Sequence, residues 1–78
     1  MSARSPIRAV PIREEPIRLG QFLKLAGLAE DGVHARELVE AGEVQVNGRD
    51  ETRRGAQLRA GDVVAVGEER ARPVLDGG

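Results

Sequence analysis

The chain has no cysteine, tryptophan or tyrosine, one phenylalanine and one histidine. Without cysteine there is no thiol nucleophile, no disulfide framework and no cysteine-based zinc cluster. Hydroxyl groups are scarce as well: Ser2 and Ser5 lie near the N-terminus, and Thr52 stands alone further along. Nucleophilic catalysis needs a hydroxyl or thiol beside a base, and His34 is the only imidazole. The chain is therefore not expected to be an enzyme. An aromatic share of 1% also excludes a platform that stacks bases on exposed rings. No apolar run approaches the roughly 18 residues of a membrane span, and no signal-peptide core precedes the domain. The expectation is a cytoplasmic protein. With 12 Lys+Arg against 13 Asp+Glu the net charge is −1, so bulk charge cannot coat a nucleic acid.

What remains is 78 residues, enough for one small domain with tails. Residues 1–16 read as an extended or disordered tail in which Pro-Ile-Arg recurs at Pro6, Pro11 and Pro16. Prolines at that spacing remove amide donors and hold the preceding residues extended. The arm either grips phosphates through Arg4, Arg8 and Arg13 or has no role. The domain is expected over 17–67. Beyond Gly67 the charged, proline-interrupted segment 68–78 reads as a flexible tail.

Leu19, Phe22, Leu23 and Ala26 fall at helical spacing, with Gly27 as the stop. Ala35, Leu38 and Val39 repeat that stripe between Asp31, a candidate N-cap, and Gly42, a second stop. Val44-Gln45-Val46 alternates as a strand does and runs into Asn47-Gly48, a strong hairpin-turn pair. Gly61-Asp62 marks another turn, and Val63–Val66 is the last strand expected. The candidate core is Ile17, Leu19, Phe22, Leu23, Leu25, Leu28, Leu38, Val39, Val44, Val46, Leu58, Val64 and Val66. A core this small leaves no room for an internal cavity. No cofactor, metal or small-molecule substrate is expected.

The stretch RLGQFLKLAGLAEDGVHARELVEAGEVQVNG, followed by LRAGDVVAV, resembles the RNA-binding domain first recognised in ribosomal small-subunit protein four, the alpha-L motif. It is most similar to the short stand-alone bacterial members. The resemblance runs from about Arg18 to Gly67 and implies an α+β fold, with two short N-terminal helices packed on a small, mostly antiparallel sheet. It also implies a partner, structured RNA such as ribosomal RNA or the ribosome, bound by a face of two helices and a hairpin. Carried over by position, Lys24 and Arg36 match basic helix positions, and Gln45, Asn47 and Arg49 match the strand and turn beside them. Glu51-Thr52-Arg53-Arg54 resembles a segment of the stand-alone members in which Arg53 and Arg54 supply further cations. Thr52 and His34 complete the candidate RNA-binding set. Two departures imply weaker binding than in typical members. Asp31-Gly32 replaces the Ser-Arg or Thr-Arg that opens helix two in many of them, and an aspartate cap fills amides that would otherwise face an anion. Gln45 stands where many members have a cation.

Charge within the domain is polarised. From Glu30 to Glu43, Arg36 faces five acids, whereas from Val44 to Ala60 four arginines face two acids. His34 and Arg36 fall on opposite flanks of the helical stripe. Two other functions compete. The C-terminal Gly77-Gly78 is what ubiquitin-like sulfur carriers activate, and LRAGDVVAV looks like their closing strand. Those carriers, however, start with a β-hairpin. A protein-binding adaptor that kept the fold is the other, favoured by the net charge of −1. No long exposed apolar stripe suggests a stable dimer, so a monomer is expected.

Overall fold

The computed structural model describes residues 6–53 and 55–76. In chain order the elements are β1 (Ile7–Ile12), β2 (Ile17–Arg18), α1 (Leu19–Leu25), α2 (Gly32–Glu40), β3 (Val44–Val46), β4 (Arg49–Asp50), β5 (Gln57–Leu58), β6 (Val64–Val66) and β7 (Glu69–Leu75). No helix among the described residues is long and apolar enough to cross a membrane.

Both helices form where the apolar spacing predicts, and both end in the same way. After α1, Gly27 takes φ +75°, its amide donates to the Lys24 carbonyl, and the Leu28 amide donates to the Leu23 carbonyl at 2.9 Å. After α2, Gly42 takes φ +74°, with Gly42 N–H on the Val39 carbonyl and Glu43 N–H on the Leu38 carbonyl. These are Schellman closures, in which a left-handed residue lets the chain satisfy the last carbonyls. Leu28 and Leu23 both belong to the buried core cluster, in keeping with the apolar contact that accompanies such a closure. At the start of α2 the Asp31 carboxylate accepts the His34 amide at 2.8 Å, the cap expected there.

Five strands form one sheet in the order β1-β7-β6-β3-β4, while β2 and β5 make a separate antiparallel pair. Within the larger sheet β1 and β7 run parallel, and the other neighbours are antiparallel. The register pairs Val44 with Val66 and Val46 with Val64. It also pairs Val64 with Ala71. One face of the sheet thus carries the valines that meet the helices. Leu19, Phe22 and Leu23 of α1, Ala35 and Val39 of α2, and Val44, Val64 and Ala71 of the sheet belong to one buried cluster.

The two expected tails are corrected. Residues 7–12 are a strand, as are 69–75, and they pair with each other from Ile7↔Arg70 to Ile12↔Leu75. The helices consequently do not open the fold, because β1 and β2 precede them, and Val64–Val66 is not the final strand. Ile12, Ala71 and Pro73 join the buried set. Two prolines sit within these strands at tolerated places: Pro11 lies on an edge strand, and the β6 ladder has ended at Val64↔Ala71 before Pro73 is reached. Arg8, expected in a phosphate-gripping arm, donates to the Ala26 carbonyl at 2.6 Å. It thereby neutralises the carbonyl end of α1. Arg4 lies outside the described residues. Leu25 leaves the core: it is 53% exposed, on the flank of α1 away from the Leu19–Phe22–Leu23 stripe.

Candidate nucleic-acid interface

The helix pair and the loop before β5 are tied together at the start of α1. Arg18 is the N-cap of that helix, in extended conformation, with no side-chain cap bond. The next amide, Leu19 N–H, donates to the Ala56 carbonyl at 2.8 Å, so the loop leading into β5 is held at Ala56 against the first turn of α1. Between α1, α2 and this loop lies an open groove of about 440 Å³, lined by Arg18, Lys24 and Arg36 together with Gln21, Gly32 and Gly55. Gly20 and Ala35 complete its described lining, and no carboxylate takes part. Arg18, Lys24 and Arg36 are all exposed, and no ion pair among the described residues engages them. Three cations around one acid-free groove make a site for a polyanion, held by charge-assisted contacts.

Arg53 stands on the adjoining side of the same loop. Its backbone amide and Nε both reach Glu51 Oε2, at 3.2 and 3.3 Å. With its side chain 81% exposed, this pair fixes loop geometry more than it contributes stability. Thr52 is exposed beside it. Arg54 lies outside the described residues.

An S4 domain model matches residues 10–72. The chain belongs to the S4 domain family. This S4 domain is 44% identical over 57 residues to the probable ribosome maturation protein RlbA of Bacillus subtilis (strain 168), an alignment covering 73% of this chain and 80% of that protein. It is also similar in structure to YbcJ from E. coli, whose solution structure was described as revealing an alfaL motif involved in RNA-binding. The TM-score is 0.68 at 28% identity, with 95% of each chain covered.

Within this S4 domain the other expected site residues are dispersed. Gln45 points to the face of the sheet opposite Val44 and Val46, and its Nε2 donates to Asp50 Oδ1 at 3.2 Å across the β3–β4 pair. Arg49 pairs with Val46, which puts it on the helix-bearing face at the edge strand β4. Asn47 is engaged within the protein through both atoms of its amide. Its Oδ1 accepts from Val63 N at 2.9 Å, and its Nδ2 donates to Asp62 Oδ1 at 3.1 Å. His34 accepts the Glu30 amide on Nδ1 at 3.0 Å. It lies on the flank of α2 opposite Arg36 and does not line the groove. The groove thus gathers Lys24 and Arg36 from the expected set and leaves out His34, Gln45 and Asn47.

Arg18 was absent from that set and is the groove's third cation. A signal for it exists in the sequence: between Glu15 and Glu30 there is no acid, and the cations there are Arg18 and Lys24. Its third-repeat position in the Pro-Ile-Arg series masked it. The carrier reading finds no support. Gly77 and Gly78 lie outside the described residues, and β1 and β2 do not form a hairpin with each other, since β1 pairs with β7 and β2 with β5.

Proposed function

We propose that this S4-domain protein is a small, non-catalytic RNA-binding protein that recognises structured RNA, with ribosomal RNA or a ribosomal particle as the partner and the cytoplasm as its site of action. Family membership supports the reading, as do the ribosome-maturation relative and the RNA-binding motif described for YbcJ. The observation that carries it is the acid-free groove bounded by Arg18, Lys24 and Arg36. Arg53 extends the basic surface along the adjoining loop, and Arg49 adds to it from the hairpin edge.

The chemistry favours backbone over base. Phe22, the one Phe, Tyr or Trp residue, is fully buried, and the groove lining holds no ring for stacking. Guanidinium and ammonium groups instead meet phosphates, and the arrangement of those phosphates in a folded RNA selects the partner by shape. Gln21 and Thr52 supply neutral hydrogen bonds at the margins. Thr52, His34, Gln45 and Asn47 stand outside the groove lining, and the protein acts as a monomer.

The test is binding to a labelled structured ribosomal-RNA fragment and to an unstructured strand of equal length across a salt series. Tighter binding to the structured RNA is expected, with a log–log salt slope of roughly −3 to −4.5 for four or five phosphate contacts. Equal and weak binding to both would remove the RNA reading and turn attention to a protein partner. Arg53→Glu with Arg54→Glu is expected to abolish binding while the helical circular dichroism signal stays intact.

A further inference from the structure

Glycines 27, 42, 48, 61 and 67 all sit at positive φ, between 61° and 95°, where the backbone itself selects glycine. Gly32 and Gly55 do not. Both lie outside the left-handed region, and a Cβ added at either meets nothing within 4 Å. Neither backbone conformation nor packing among the described residues calls for glycine at these two positions. At Gly32 the choice works against the fold. It is the first residue of α2, where glycine is a poorer helix former than alanine and leaves the unfolded chain more freedom.

What the two positions share is the groove. Gly32 lines it from α2 and Gly55 from the loop opposite, and Arg18, Lys24 and Arg36 stand around them. We propose that Gly32 and Gly55 keep the floor of this groove clear so that the ribose–phosphate backbone of RNA can approach closely enough for its phosphates to meet all three cations. Bare backbone at two points of the lining removes the side-chain bulk that would hold a phosphate away from short guanidinium and ammonium contacts. The ligand class is the anionic backbone, because the groove offers three cations, no carboxylate and no exposed ring. Glycine here is a specificity determinant that costs the fold some stability. The inference rests on the RNA-binding reading of the same groove.

Two double variants separate the ideas. One is Gly32→Ala with Gly55→Ala, and the other is Lys24→Gln with Arg36→Gln. Each is measured for melting temperature and for affinity to the structured ribosomal-RNA fragment. The glycine variant is expected to melt at or above the wild-type temperature and to bind about tenfold more weakly, equivalent to roughly one good backbone contact. Replacing both glycines by valine should weaken binding further. Wild-type affinity in the glycine variant, together with weakened binding in the Lys24/Arg36 variant, overturns the inference and leaves the RNA reading standing. Wild-type affinity in both overturns the groove as the RNA site and the inference with it. A lower melting temperature in the alanine variant would assign the glycines to folding and overturn the inference.

Discussion

At Asn47 a backbone angle and a side-chain amide serve the same turn. The residue holds φ 54°, and its amide joins the β3–β4 turn to Asp62 and Val63. Asn47→Gly keeps the angle and removes the amide, at a cost of about 1–2 kcal/mol for two partly exposed hydrogen bonds. Asn47→Ala adds left-handed strain of roughly 1–2 kcal/mol. In a domain this size each kcal/mol lowers the melting temperature by about 4–8 °C, so thermal melts should rank wild type above glycine above alanine. RNA affinity measured well below the transition should stay within about twofold of wild type, because both hydrogen bonds of the amide are internal to the protein. Weaker binding with an unchanged melt would return Asn47 to the interface. Arg36→Gln should do the opposite, keeping the melt and reducing the salt slope by about 0.7–0.9, one phosphate contact. Nothing in the letters separates these two residues. Both are exposed polar side chains near a turn or a helix stripe, and only the tertiary partner of Asn47, 16 residues away at Val63, shows that its amide is already engaged. The same holds for Gln45, whose place on the far face follows from strand alternation once the helices are known to cover Val44.

The elements divide by the range of the interactions that define them. The helices and the Asn47-Gly48 hairpin were legible because their signals are local: a 3.6-residue apolar stripe, an aspartate cap three residues ahead of the amide it accepts, and a glycine where the chain must turn left-handed. Gly42→Ala should therefore lower the melting temperature by the equivalent of about 1 kcal/mol, since alanine at φ +74° bears a Cβ penalty that glycine escapes. An unchanged melt would mean that α2 closes some other way. Strands β1 and β7 were not legible. Their pairing is parallel and joins segments about 60 residues apart, β1 buries only Ile12, and the buried residues of β7, Ala71 and Pro73, are a small side chain and a proline, which are weak strand signals. The structure makes Ile12 a core residue, 3% exposed. Ile12→Ala should thus cost about 2–4 kcal/mol, a fall in melting temperature of about 8–32 °C by the same scaling. A residue in a loose tail would give no measurable change, and that result would detach β1 from the fold.

On the scale of the whole molecule, charge at the groove and charge overall have different signs. The net charge is −1, yet the groove lining is cationic and free of acid. The local contacts fix how many counterions leave the RNA on binding, and so the equilibrium salt slope. Long-range attraction depends on what an approaching RNA senses from afar. At 0.01 M salt the Debye length is about 30 Å, comparable with the longest extent of the protein, 36 Å. There the RNA meets a nearly neutral particle. At 0.15 M the length is about 8 Å, and only the facing surface counts. Salt should therefore act mainly on dissociation. Between 0.01 and 0.15 M the association rate constant is expected to fall less than about threefold, while the dissociation rate constant rises enough to carry most of the slope. A polybasic protein behaves differently, losing association rate steeply and throughout. Stopped-flow mixing with the structured RNA fragment distinguishes the two. A tenfold or greater fall in the association rate would show that the groove's field reaches well beyond the protein surface, and that the acids on α2 do little to offset it.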